Sequence, residues 1–396
     1  MSTIDELFTR RTEKILPSQK GFKELLEKRK ISLYFGVDPT ATKLHLGHTI
    51  GIRKLQEFAD LGHHAILLFG TGTVLVGDPS LRAEARKPIT QEEIENNISS
   101  WKKQVSSIVD FEKVTIKKNG DWLLKLTYKD IIEIASNISA VQLFKRESFQ
   151  RRIERGDTVW YHETMYPLLQ GYDSVAMDVD LEIGGTDQEF NMLVGRELMK
   201  KMKGKEKFVL TTPMILGTDG KQMSKTSGNC IWLTDSAEDM FGKLMSIPDE
   251  QIIPYMELVS DIPLARIGQI KSDIYSGKLH PMDAKKELSL DVVSQFHGKN
   301  QAESAKINFK KTIQAGEIPE EIPVFKLSSL PKNSTIIDLL EKSKSVASRG
   351  EARRLIEQGG VWIDQFQISD FRFQISKLKS GSIIKIGKRK WLKLEK

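Results

Sequence analysis

The chain of 396 residues contains one cysteine, Cys230. A single thiol excludes an internal disulfide framework and any cysteine-rich zinc site, and it fits a reducing compartment. No apolar stretch approaches the roughly 20 residues that span a bilayer, so no membrane partner is expected. The amino terminus, Met1-Ser2-Thr3-Ile4-Asp5-Glu6, turns acidic at once and lacks the basic-then-apolar pattern of a secretory signal, which makes the expected location cytoplasmic. Internal repeats and low-complexity tracts are missing too. Charge of one sign is also scarce, since 60 Lys and Arg against 53 Asp and Glu leave only +7. That small excess lies towards the carboxyl end, where it favours a polyanionic partner. Charge alone does not separate such a partner from a solvated basic tail.

The length exceeds one ordinary core, so two or three domains are expected. Ile31 to Val37 reads as a strand with little alternation, buried on both faces. A helix follows from His48 to Leu61, with Ile52, Leu55, Phe58 and Ala59 at helical spacing and Gly62 as its stop. Ala65 to Phe69 is a second buried strand. Strand, helix, strand within so short a span implies a parallel sheet with helices on its faces. Leu181 to Ile183 and Phe208 to Leu210 extend the pattern around a helix at Gln188 to Lys200. Beyond about Asp235 strand signals vanish, and Met240, Leu244, Ile252, Met256 and Leu258 mark helical core positions. Pro319, Pro323 and Pro331 fall in a stretch that reads as a linker. A small basic module then runs from Thr335 to the end.

Two segments look able to handle phosphates. His45-Leu46-Gly47-His48 lies where a buried strand passes into a helix, whose first N–H groups are unpaired and whose dipole favours anions. Two imidazoles three residues apart share a face, and Gly47 lets a ligand approach the backbone. By itself such a pair more readily fits surface histidines or part of a metal site. Gly217 to Gly228 contains Gln222-Met223-Ser224-Lys225-Thr226-Ser227, a basic, hydroxyl-rich loop that can fold over phosphates. Alone it also fits an ordinary surface loop; the pairing with the upstream histidines is what carries weight.

With these two segments together, the sequence resembles the class I aminoacyl-tRNA synthetases, whose signatures are a His-Ile-Gly-His-like tetrapeptide and a Lys-Met-Ser-Lys-Ser-like loop. The first Lys of that loop is Gln222 here, with Lys221 one place earlier, so Lys225 is expected to be the catalytic cation. Further residues point to one family within the class. Tyr34, Gly36 and Asp38 share a strand face through their spacing of two. Tyr166, Gln170 and Asp173 share a helix face through offsets of four and three, a pattern that a polar surface stripe would also give. Gly70-Thr71-Gly72-Thr73, Asp78, Asn119 and Gly184-Gly185-Thr186-Asp187-Gln188 complete a set similar to the tyrosyl-tRNA synthetases, over nearly the whole chain.

That resemblance implies a Rossmann-like α/β catalytic domain at 1–230 and a helical anticodon-binding domain at 231–317. A linker at 318–334 and an S4-like α+β RNA-binding domain at 335–396 would follow. It implies that Tyr34, Thr73, Asp78, Asn119, Tyr166, Gln170, Asp173 and Gln188 hold L-tyrosine. Gly36, Asp38, Gly47, Gly185, Asp187, Met223, Ser224 and Lys225 would hold ATP with Mg2+. His45, His48, Thr40, Lys225 and Thr226 would act at the phosphates, with Arg82 and Arg86 on a loop for pyrophosphate. No tightly bound cofactor and no protein metal site are expected. A homodimer acting on tRNA(Tyr) is implied. The segment Val346 to Val361 resembles the S4 RNA-binding motif, with Arg349, Arg353 and Arg354 on its helix and a hairpin around Lys388-Arg389-Lys390. A tryptophanyl enzyme and a non-catalytic RNA-binding relative remain as rival readings.

Overall fold

The structure, a computed structural model, describes residues 4–78, 89–223, 227–311, 322–331, 333–346, 348–364, 366–387 and 390–395. The chain divides into two compact units, Met1–Asp235 with Ser246–Phe296, and Ser236–Met245 with His297–Lys396. Among the described residues no helix is long and apolar enough to cross a membrane.

The first unit is built on a six-stranded sheet. In chain order its strands are β1 (Lys14–Leu16), β2 (Ser32–Val37), β3 (His64–Phe69), β4 (Val114–Lys118), β5 (Leu181–Gly185) and β6 (Phe208–Thr212). They lie side by side as β1-β6-β5-β2-β3-β4. All neighbours are parallel except β1 and β6. The apolar runs read from the sequence are the central strands: β3 is buried after its first residue and β6 throughout, as a sheet covered on both faces requires. From β2 the chain moves through helix Leu46–Asp60 to β3 on one side; from β5 it moves through helix Glu189–Lys203 to β6 on the other. The connections therefore diverge between β2 and β5, and the carboxyl ends of the strands open a crevice there.

Helix Ile252–Val259 belongs to this unit and is fastened to the amino-terminal segment. Arg11 donates to the carbonyls of Leu258 and Ser260 at 2.7 Å each, and Arg10 to that of Glu257 at 3.0 Å. These are carbonyls that a helix end leaves without partners of its own. Arg11 also pairs with Glu57 at 2.6 Å, and Glu57 with the buried Lys54 at 2.7 Å.

In the second unit, helices Ala237–Met245 and Lys299–Phe309 meet through Phe241 and Phe309, whose ring centroids are 5.6 Å apart. A second sheet has the order β7-β11-β10-β8-β9, from β7 (Val324–Lys326), β8 (Val361–Ile363), β9 (Phe366–Gln367), β10 (Ile383–Ile386) and β11 (Lys390–Glu395). Ile336, Leu340, Ala352, Ile356, Ile384 and Leu394 form its core. Part of the proline-bearing stretch expected as linker is thus β7, paired in parallel with β11. The expected hairpin is β10 against β11.

Candidate active site

Helix Leu46–Asp60 starts directly after His45, whose backbone N–H donates to His48 Nδ1 at 3.2 Å. The two imidazole centroids lie 3.8 Å apart. Backbone bonds from Leu46 N to Ile231 O (3.0 Å) and from Leu233 N to Leu44 O (2.8 Å) tie this segment to the chain just beyond the second signature. A Cβ on Gly47 would lie 3.8 Å from the Met223 sulfur. The first signature and the described start of the second, Gln222 and Met223, therefore lie together at the crevice.

Opposite them, helix Tyr161–Met177 turns its polar stripe inward. Tyr166 donates to Asp38 Oδ2 at 3.0 Å, and Thr73 Oγ1 donates to Asp38 Oδ1 at 2.8 Å. Gly70 makes room for that carboxylate: a Cβ there would come within 1.9 Å of Asp38 Oδ1. Asp173, 2 % exposed, accepts from Trp122 Nε1 at 2.8 Å and from Asn119 Nδ2 at 3.0 Å. Gln170 donates to Glu182 at 3.0 Å, and Asn191 donates to both Gln170 and Gln188 at 2.9 Å. Gln188 donates to Asp78 at 2.8 Å, which Arg146 also meets at 3.2 Å.

One cavity of about 570 Å3 joins these groups. Tyr34, Gly36, Asp38 and Thr40 line it from the end of β2; His45, Gly47 and His48 from the helix start; Thr73 and Asp78 from beyond β3. Asn119, Tyr166, Gln170, Asp173, Gly185, Asp187, Gln188 and Met223 complete the expected set, and all are on the wall. Arg82, Arg86, Ser224, Lys225 and Thr226 lie outside the described residues.

Sequence reasoning passed over several groups that hold this wall in place. Glu182 is directly opposite Tyr34 in the β2–β5 register, so the two side chains are neighbours on one sheet face. Lys207 pairs with Glu182 and donates to Ser174 Oγ at 2.8 Å, which lies 3.0 Å from Tyr34 Oη. Trp122, Asn191 and Arg146 were missed too. The signal available was Glu182 itself, a charge inside an apolar buried strand that must find a partner.

Burial holds the Asp173 carboxyl well above the usual carboxylate range; Glu182 and Asp38 push the same way, against the bonds from Asn119 and Trp122. Burial likewise raises Asp187, with Asp78 adding to it, and raises the Tyr34 and Tyr166 phenols well above their ordinary value. Carboxylates outnumber cations on the described wall, a field that suits an ammonium group, while the imidazoles and the helix start suit phosphates.

In the second unit, helix Arg349–Glu357 carries Arg349, Arg353 and Arg354 as expected. Arg349 is engaged by Asp338 at 2.5 Å and Glu341 at 3.3 Å, and Arg353 stacks on Phe371 at 5.4 Å. Lys388 and Arg389 lie outside the described residues.

A parallel sheet whose switch-point crevice joins a His-x-x-His helix start to Gln222 and Met223, the described start of the second signature, defines a class I tRNA synthetase. Residues 26–314 match the family described as tRNA synthetases class I (W and Y). The chain is 39% identical over 390 residues to the tyrosine–tRNA ligase of Thermotoga maritima, covering 98% of this chain and 96% of that one. With the tyrosine–tRNA ligase of Francisella tularensis it is 40% identical over 399 residues, covering 100% and 99%. The fold also matches the crystal structure of a tyrosyl-tRNA synthetase complexed with L-tyrosine from Archaeoglobus fulgidus, with a TM-score of 0.62 at 21% identity over 76% of this chain and 98% of that one. The chain belongs to the tyrosyl-tRNA synthetase family.

Proposed function

We propose that the chain is a tyrosine–tRNA ligase, which activates L-tyrosine with MgATP to tyrosyl-adenylate and pyrophosphate and then transfers the tyrosyl group to the 3′ end of tRNA(Tyr). One observation carries the reading. Segments far apart in sequence, read separately as nucleotide-handling and amino-acid-handling, line a single cavity. Its size lies within the range of pockets that enclose a small organic ligand.

The amino acid's carboxylate attacks the α-phosphorus, so no protein nucleophile is needed. Catalysis rests on positioning and on charge stabilisation at the phosphates. His45, His48, Thr40 and Lys225 serve the phosphates, Arg82 and Arg86 the departing pyrophosphate. Gly36, Gly47, Gly185, Asp187, Met223 and Ser224 bound the nucleotide, with Asp187 on its ribose. Asp78, Tyr166 and Gln170 take the ammonium, while Tyr34 and Asp173 take the phenol. Asp38, bonded to Thr73 and Tyr166, fixes the border between the two substrates. Buried polar groups at the phenol end reject an amino acid without a hydroxyl, a point for which tyrosine-specific synthetases are themselves the standard illustration. An indole N–H only donates, so tryptophan would leave a donating Tyr34 without an acceptor.

The domain at 335–396 adds salt-sensitive contacts to tRNA phosphates through Arg353, Arg354, Lys388 and Arg389. The enzyme acts in the cytoplasm as a homodimer. Exposed Tyr128, Ile132, Val141, Ile153, Trp160 and Tyr161 concentrate apolar surface on one stretch of chain, and this supports a second copy as its partner. ATP–pyrophosphate exchange by the purified chain tests the reading. Exchange with tyrosine and not with tryptophan is expected; the reverse would assign the chain to the rival amino acid, and no exchange at all would leave an RNA-binding relative.

A further inference from the structure

Lys207 is fully buried behind the phenol end of the cavity, just before β6. Its ammonium lies between Ser174 and Glu182, 6.0 Å from the centroid of the Tyr34 ring. Two helices are shaped around it. A Cβ on Gly195 would come within 2.6 Å of Nζ, and one on Gly171 would meet the Gly195 backbone at 3.0 Å. Burying an ammonium is costly, and a well-packed apolar pair is often no less stable than a buried ion pair. Stability alone therefore gives little reason for Lys207.

The direction of the hydrogen bonds gives a better one. An ammonium has three donors and no acceptor, whereas a hydroxyl has one donor and two acceptor positions. Ser174 Oγ is fully buried, and its described partners are Lys207 Nζ and Tyr34 Oη. Lys207 cannot accept, so the Ser174 hydrogen goes to Tyr34 Oη. That leaves Tyr34's own hydrogen to be donated elsewhere. Two acceptors compete for it: the Glu182 carboxylate, directly opposite Tyr34 in the β2–β5 register, and an oxygen in the cavity. Lys207 weakens the first by neutralising Glu182.

We infer that Lys207 is a positioning residue that sets selectivity for a phenol: acting through Ser174 and Glu182, it turns the Tyr34 hydroxyl into a donor aimed at the substrate oxygen, opposite the acceptor Asp173. The inference rests on the tyrosine reading above. A bound phenol then donates to Asp173 and accepts from Tyr34, and both its hydrogen-bonding roles are met.

The test is ATP–pyrophosphate exchange by the full chain with tyrosine and with phenylalanine. Lys207→Met is expected to lower the tyrosine-over-phenylalanine ratio of kcat/KM roughly tenfold, through a raised KM for tyrosine, with phenylalanine's own kcat/KM within about twofold of the unmodified chain. Equal falls for both amino acids would mark Lys207 as structural only and overturn the inference, as would an unchanged ratio. Should Lys207→Met fail to fold, Ser174→Ala carries the same test, since it keeps the ion pair and removes only the relay. Its expected fall in the ratio is about fivefold, and an unchanged ratio overturns the inference. Absence of tyrosine exchange in the unmodified chain would remove the functional reading itself, and this inference with it.

Discussion

Replacing Asp173 by Asn exchanges one oxygen for an NH2 in a place where neither neighbour can turn to receive it. Trp122 Nε1 only donates, and it points at Oδ1 from 2.8 Å. Asn119 points its Nδ2 at Oδ2 from 3.0 Å. Its amide cannot flip, because Oδ1 accepts from Gly72 N at 2.7 Å while Nδ2 also donates to Thr73 Oγ1 at 3.0 Å. The new NH2 must therefore oppose a donor, which costs about 1–3 kcal/mol of folding stability. The second effect falls on binding. A hydrogen bond from the substrate phenol to a carboxylate is worth about 1.5–3 kcal/mol, so its loss lowers kcat/KM for tyrosine by about tenfold to a hundredfold. Phenylalanine has no hydroxyl to lose that bond. Steady-state exchange with both amino acids separates the two effects, since a loss of folded enzyme scales them equally. If the ratio of the two kcat/KM values stays at the unmodified level, Asp173 does not read the phenol.

Glu57→Gln should destabilise the first unit by about 3 kcal/mol or more, because Arg11 and Lys54 remain buried beside a neutral side chain; thermal unfolding should start several degrees lower, and an unmoved midpoint would contradict this. Lys225→Ala should slow tyrosyl-adenylate formation by about a hundredfold with an unaltered circular-dichroism melt, and a burst of unchanged rate would refute its role. Asp180 gives a pH prediction. Burial alone would raise its pKa, but bonds from Arg29, the Ser32 backbone and Lys205 outweigh that and hold it below the ordinary value. Its stabilisation is therefore present above the unfolded pKa of about 3.9 and is lost as pH falls through the folded value. Asp180→Asn should be less stable than the unmodified chain at neutral pH, with the gap closing below about pH 4; a gap that is independent of pH would contradict this.

The parts legible in the sequence are those where local spacing decides the geometry. Tyr166, Gln170 and Asp173 were readable because offsets of four and three fix a helix face, whatever that face meets. The strands β3 and β6 were readable because burial on both faces favours a continuous apolar run. Short or edge strands carry no such mark: β1 spans three residues, and β7 follows Pro323 in a stretch with the composition of a linker. The association of helix Ala237–Met245 with Lys299–Phe309 was hidden because helical periodicity tells which face is apolar and not which helix it meets. The second layer of the site was least visible. Glu182 and Lys207 are 25 residues apart and meet only because β5 and β6 pair in register with the helix between them folded away.

Amino acid and nucleotide should share the crevice at the strand ends, and the most direct measurement of this is a crystal structure of the full chain with tyrosine and a non-hydrolysable ATP analogue. It should place the phenol oxygen within hydrogen-bonding distance of both Tyr34 and Asp173, with the α-phosphate beside the amino acid's carboxylate and the remaining phosphates at His45 and His48. A phenol bound away from Tyr34 and Asp173, or a triphosphate seated elsewhere on the sheet, would contradict it.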